Sequence, residues 1–191
     1  MDKVKKFFDD RAEDWDSYCP KSQEELELLL NDIDIKQGDK VLDLACGTGV
    51  ITNILFDKSQ TDLYAIDLSS KMIDVAKSKY KNAKIHFIDS DFLYYDENDF
   101  DAIVLFDAYP HFLNTDDFKN KLLLSLKKGG RLYIVHDCPR KELNAHHMTF
   151  AKDVSRLLKP VKEEANFYSD SFDIIKAYED DKTYRIYLRK K

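Results

Sequence analysis

Between residues 41 and 137 short apolar runs alternate with segments whose apolar positions recur every three or four residues. VLDLA (41–45), DLYAID (62–67), KIHFID (84–89), FDAIVLFD (100–107) and RLYIVHD (131–137) read as strands. Between them VITNILFDK (50–58), SSKMIDVAKSKY (69–80) and TDDFKNKLLLSLKK (115–128) read as helices, the second capped by serine and the third ending at Gly129-Gly130. Upstream, Val4, Phe7, Phe8, Ala12 and Trp15 form one apolar stripe, which predicts a helix over 4–18 broken by Cys19-Pro20. A second helix spans 22–30, with Ser22 and Glu25 spaced as a capping box. Downstream, MTFAKDVSRLLK (148–159) predicts a helix that stops at Pro160. FDIIKAYED (172–180) and KTYRIYLRK (182–190) predict an antiparallel hairpin turning at Asp180-Asp181.

Strand and helix alternating through five cycles require right-handed crossovers and a parallel sheet covered on both faces. Burial on both faces explains why VLDLA and AIVLF are continuous apolar runs. The expected fold class is α/β, an open doubly wound and mostly parallel sheet closed by a C-terminal antiparallel hairpin. Ligands of such sheets lie outside the carboxyl ends of the strands.

Composition narrows the functional classes. The chain has 191 residues, 43% hydrophobic and 35% charged, with a formal net charge of −6, which suits a single globular domain. An acidic whole argues against nucleic acid, whose binding draws on phosphate neutralisation. Three cysteines, Cys19, Cys46 and Cys138, without a secretory signal predict reduced thiols in a cytoplasmic protein. No run approaches the roughly 20 apolar residues of a membrane span, so no membrane partner is expected. Oligomeric state is not legible.

Two of the five glycines, Gly47 and Gly49, fall in VLDLACGTGV (41–50), between the first strand and its crossover helix. Small residues there permit a sharp turn and a close approach to the backbone. Asp67 ends the second strand, where a carboxylate can accept hydrogen bonds from ribose hydroxyls; a strand-end cap for the serine-rich helix is the plainer alternative. Asp91 follows the third strand and can meet an adenine amino group beside Phe92, or sit in a solvated loop. Asp43, on an apolar strand, needs a partner, because a lone buried carboxylate is costly. The dinucleotide fingerprint G-x-G-x-x-G is absent, which disfavours a nicotinamide oxidoreductase, and no Gly-Lys-Ser/Thr phosphate loop occurs.

What remains resembles the S-adenosylmethionine motif of class I methyltransferases. The resemblance rests on VLDLACGTG (41–49), YAID (64–67), SDF (90–92), FDAIVLFDAYPHF (100–112) and LKKGGRLYIVHD (126–137). Ala45 replaces the first glycine of the usual motif. The resemblance implies a seven-stranded Rossmann-like domain, with 1–37 as an N-terminal helical lid and 38–191 as the sheet core. It implies S-adenosylmethionine as cofactor, with Asp43 toward the methionine ammonium and the backbone of Ala45, Cys46, Gly47 and Gly49 along the ligand. Asp67 is expected at the ribose, Leu68 and Met72 at the adenine faces, Ser90, Asp91 and Phe92 at its edge, and Phe106 at the methionine. Trp15 and Tyr18 are expected to close over the sulfonium, a cation that aromatic faces attract.

Methyl transfer asks chiefly for alignment, and for a base only when the nucleophile carries a proton. Four of the five histidines follow the fourth and fifth strands: His111 in DAYPHF, and His136, His146 and His147 in VHDCPRKELNAHH. His111, His136 and His147 are the catalytic candidates, while His86 inside the third strand reads as structural. His136, Arg140, Asn144 and His147 also match an H-x-x-x-R-x-x-x-N-x-x-H pattern of uncharacterised bacterial methyltransferases. No metal is the first expectation; the alternative joins Cys19, His111, His136 and His147 as ligands of zinc or a related ion. DAYPHF does not match the Asn/Asp-Pro-Pro-aromatic signature of methylases acting on exocyclic amines, so the expected acceptor is a small molecule. A non-catalytic S-adenosylmethionine sensor is the competing reading.

Overall fold

The computed structural model describes residues 2–18 and 21–191. The chain divides into two compact units, Met1–Tyr95 and Asp96–Lys191. Its seven strands fall in the order β3-β2-β1-β4-β5-β7-β6; β1–β2, β2–β3 and β4–β5 pair parallel, β5–β7 and β6–β7 antiparallel.

In the first unit β1 (Val41–Leu44), β2 (Leu63–Asp67) and β3 (Ile85–Asp89) run parallel, with Val41 opposite Leu63 and Leu63 opposite Ile85. All four residues of β1 are buried, as a strand covered on both faces requires. The helices are α1 (Asp2–Asp9), α2 (Gln23–Leu29), α3 (Thr52–Ser59) and α4 (Ser70–Lys79). The capping box at α2 forms as the spacing predicts: the Glu25 amide donates to Ser22 Oγ and the Ser22 amide to Glu25 Oε2. Ser69 caps α4 by accepting the Met72 amide. Residues 4–18 are not one continuous helix; after α1 the chain tightens into a 3-10 segment, Ala12–Tyr18. This segment and α1 are tied to the start and end of α4. Asp9 accepts from Ser69 Oγ at 2.6 Å, and Asp16 accepts from Lys79 at 2.7 Å.

The second unit holds β4 (Phe100–Phe106), α5 (Thr115–Ser125), β5 (Leu126–His136), α6 (Arg140–Phe150), α7 (Val161–Asn166), β6 (Phe172–Glu179) and β7 (Tyr184–Lys190). β4 and β5 are parallel, while β7 runs antiparallel to both β5 and β6. Two sequence expectations fail here. The helix predicted to 128 stops at Ser125, and LKKGG opens β5, with Leu126 paired to Phe100. A Cβ on Gly130 would stand 3.0 Å from the Phe100 carbonyl oxygen, so the glycines serve a tight bend within a strand rather than a helix end. The helix predicted over 148–159 lies earlier, as α6, and residues 151–160 are irregular. Asn144 supplies the reason. Its side chain donates to the Leu158 carbonyl and accepts the Leu158 amide, both at 2.9 Å, holding that residue extended where a helix would turn.

A buried polar cluster organises this return segment. Glu164 receives a bidentate pair of bonds from Arg156 at 2.7 and 3.2 Å, the Lys159 amide at 3.0 Å and the Tyr109 hydroxyl at 3.1 Å. Tyr109 and Tyr168 share a further bond at 2.9 Å, and the Arg156 guanidinium lies 4.5 Å over the Tyr109 ring. Burial alone would raise the Glu164 carboxyl, but these donors hold it below its ordinary value. Among the described residues no helix is long and apolar enough to cross a membrane. Replacing the buried Glu164 with Ala leaves the half-buried Arg156 guanidinium unpaired, and is expected to cost about 3 kcal/mol in urea unfolding at pH 7.

Candidate functional site

Three carboxylates stand at the carboxyl ends of three adjacent strands of the first unit. Asp43 is the third residue of β1, Asp67 the last of β2, and Asp91 follows β3 by two residues. The register that pairs Leu44 with Ile66 and Asp67 with Asp89 brings the three loops together, and two backbone bonds join them: Cys46 amide to Ile66 carbonyl and Ser90 amide to Asp67 carbonyl.

Asp67 is buried and braces the loop beside it. Its Oδ2 accepts the Gly47 amide at 2.9 Å and its Oδ1 the Ser69 amide at 2.8 Å. The cap role and the ligand role are therefore compatible, since each carboxylate oxygen keeps a second acceptor site. Burial pushes this carboxyl up to about 6, against the pull of the two amides. Asp43 is wholly inside, and its carboxylate accepts a hydrogen bond from the Thr52 hydroxyl at 2.6 Å. Burial pushes it to about 7, with the charge on Asp67 adding to the rise. Among the described residues no cationic side chain pairs with Asp43, whereas the Lys5 charge eases Asp67 downward. Asp91 caps a short 3-10 turn, Phe92–Tyr94, through Oδ1 and the Leu93 amide; its Oδ2 is buried with no hydrogen-bond partner. That orphan acceptor fits an amino group such as that of adenine, and burial of acceptors without partners is uncommon.

The glycine loop differs from expectation in what approaches it. Gly49, at φ +85°, is closed by Tyr80, whose hydroxyl donates to the Gly49 carbonyl at 2.8 Å and whose ring would lie 2.7 Å from an added Cβ. Gly47, at φ +55°, faces the Trp15 indole, 3.5 Å from where its Cβ would be. The small residues thus accommodate the protein's own aromatics. Ala45 also takes a left-handed conformation, φ 55°, at the place where the motif it resembles has glycine. Thr48 is buried and donates to Asp16, which places Trp15 over the loop. Tyr18 is largely exposed, with its ring 5.9 Å from that of Trp15. Cys46 is buried, and burial raises its thiol. Met72 and Phe92 are core side chains, so what Phe92 offers a ligand is its backbone; Leu68 and Ser90 are half-buried. Thr52, Tyr80 and Asp16 had no signal in the sequence, because their partners lie 9, 31 and 32 residues away.

In the second unit the histidine candidates converge. The His111 and His147 rings meet edge to face at 5.1 Å, and His111 Nδ1 lies 2.9 Å from the Val154 carbonyl oxygen. His136 is fully buried at the end of β5, with Nδ1 3.4 Å from Asp107 Oδ1. Burial lowers His111 to about 4 and His147 to about 3, and the His136 imidazole adds to both. Both therefore stay neutral at physiological pH. Arg140 pairs with Glu179 at 2.9 Å, so that motif position ties α6 to β6. Phe106 ends β4 and is half-buried; His86 pairs with Asp62 at 2.7 Å. Cys19, the thiolate of the metal alternative, lies outside the described residues, among which no set of three or more His, Cys, Asp or Glu is disposed to hold a metal ion.

Comparison with known proteins adds the following. Residues 35–187 match the model of a methyltransferase domain. An uncharacterized methyltransferase of Schizosaccharomyces pombe is 33% identical over 137 residues, 60% of this chain and 47% of its own length. A malonyl-[acyl-carrier protein] O-methyltransferase of Acetivibrio thermocellus is 29% identical over 129 residues, 65% of this chain and 46% of its own. The chain thus spans about half the length of these relatives. Among solved structures, a chain of the complex between the Haloferax volcanii Trm112 methyltransferase activator and its methyltransferase superposes with a TM-score of 0.81. It is 15% identical, with 98% of this chain and 97% of that chain covered.

Two outcomes follow from the loop. Asp43→Asn removes a carboxylate whose folded pKa lies above its unfolded 3.8, so the stability of the neutral form is intact below that value and lost as pH rises toward 7. Without added ligand the variant should melt at least about 3 °C above the parent at pH 8, with the gain shrinking several-fold at pH 4.5. Ala45→Gly relieves a left-handed alanine and should stabilise by up to about 1 kcal/mol in urea unfolding.

Proposed function

Because the chain belongs to the class I S-adenosylmethionine-dependent methyltransferases through its methyltransferase domain, we propose that it methylates a small-molecule oxygen, nitrogen or sulfur nucleophile. The observation that carries the reading is the row of acids at the carboxyl ends of β1, β2 and β3, one buried and short of a cation, one braced by two amides, one with a buried orphan oxygen. These fit the ammonium, the ribose hydroxyls and the adenine amino group of S-adenosylmethionine in that order. The bound donor supplies an electrophilic methyl group on a sulfonium.

The residues of this chain then have distinct tasks. Asp43 holds the ammonium and is itself held by Thr52. Asp67 keeps the Gly47 turn in shape while its remaining acceptor sites take the ribose. Asp91 reads the adenine edge, and the half-buried Leu68 flanks the ring. Trp15 and Tyr18 cover the loop as a cation-attracting lid, anchored through Asp16 and Thr48. Of the three histidine candidates, His111 and His147 are too weak as bases to take a proton near neutrality, and they serve as neutral hydrogen-bonding groups for the acceptor. His136 is the proton acceptor.

A small acceptor is supported by the net charge of −6 and by the absence of the exocyclic-amine signature. The Acetivibrio relative is named for a malonyl group borne on acyl-carrier protein, a small reacting group on a protein carrier. Calorimetric titration tests the cofactor assignment: Asp67→Ala should bind S-adenosylmethionine at least about tenfold more weakly, a loss of roughly 1.4 kcal/mol or more. Unchanged affinity would refute the ribose role. Release of S-adenosylhomocysteine with a panel of thiols, phenols and amines separates an enzyme from a sensor.

A further inference from the structure

We propose that Asp107 is a positioning residue that fixes the His136 ring with its proton on Nδ1, leaving Nε2 as the bare, proton-accepting nitrogen. Four observations within the second unit support this. The β4–β5 register pairs Phe106 with Val135, so the next residue of each strand, Asp107 and His136, emerges side by side. Asp107 takes a left-handed backbone, φ 51°, a conformation that costs a residue with a Cβ and persists where the surroundings enforce it. Two hydrogen bonds enforce it here: the Asp107 amide donates to the Val135 carbonyl at 2.9 Å, and Asp107 Oδ1 accepts the Asp137 amide at 3.0 Å. The same Oδ1 stands 3.4 Å from His136 Nδ1.

The imidazole has no other arrangement of equal merit. His136 is fully buried, and neither ring nitrogen has a hydrogen-bond partner among the described residues. The Tyr184 ring lies 6.0 Å away, and the His111 and His147 imidazoles feel the charge of His136. A neutral ring must still carry one N–H, and a buried donor facing nothing costs about 1–3 kcal/mol. The nitrogen that faces a carboxylate oxygen is the one that keeps the proton. At 3.4 Å the contact is longer than a formed hydrogen bond, as orienting contacts of catalytic groups often are before a ligand tightens them.

The assignment rests on His136 being the proton acceptor of the proposed reaction, yet its test does not need the acceptor molecule. In the full chain with labelled histidine at pH 8.5, nitrogen NMR reads the His136 tautomer directly, with and without saturating S-adenosylhomocysteine. Protonated Nδ1 and bare Nε2 are expected in the parent, and Asp107→Gly, which keeps the left-handed backbone unstrained, should move the proton to Nε2. A parent ring protonated on Nε2, or on both nitrogens, overturns the proposal, and so does an Asp107→Gly ring still protonated on Nδ1. If the glycine variant does not fold, the parent spectrum alone decides. Binding of S-adenosylhomocysteine, followed on the same samples, tests the methyltransferase reading separately: no binding would sink that reading and leave the tautomer result standing.

Discussion

The carboxylate of Asp67 is the joint on which two loops of the first unit are assembled. One oxygen accepts from the turn after β1 and the other from the residue that caps α4, so two loops separated by 20 residues share one rigid brace. Because the acceptor is buried, these bonds are formed in a low-dielectric setting where an unmet amide is expensive. The brace explains why Gly47 keeps its left-handed turn, why Trp15 has a fixed surface to rest on, and why the start of α4 can receive Asp9 from the N-terminal helix.

Much of this was legible in the chain itself. Apolar runs fully buried on both faces, such as VLDL and AIVL, announced parallel strands, and Ser22, Ser69 and Glu25 marked helix starts that formed as their side chains dictate. Legibility failed where a distant residue overrode local pattern. LKKGG reads as a helix end until Phe100 is known to lie beside Leu126, and MTFAKDVSRLLK reads as a helix until Asn144 claims Leu158. The candidate site behaved likewise: Asp43, Asp67 and Asp91 were visible from their places on and after the strands, whereas Thr52, Tyr80 and Asp16 acquire meaning only through contacts that folding creates.

Titration sets two pairs of buried groups apart by sign. Asp43 and Asp67 are raised by burial, so their contribution to stability is whole below the unfolded value of 3.8 and declines as pH climbs through 6 and 7. His111 and His147 are lowered by burial, so theirs is whole above 6.5 and declines as pH falls toward 4 and 3. A buried carboxylate and a buried imidazole thus respond to opposite ends of the pH scale, because burial disfavours the charged form of each.

The fit of Tyr80 against Gly49 carries an evolutionary corollary. With a phenol ring 2.7 Å from any added methyl group and its hydroxyl bonded to the same residue's carbonyl, the two positions have become a lock and its ward. Neither can drift alone: a bulkier residue at 49 demands a trimmed one at 80, and a trimmed 80 leaves the turn's carbonyl without its donor. Among descendants of this sequence the pair should be inherited together or exchanged together.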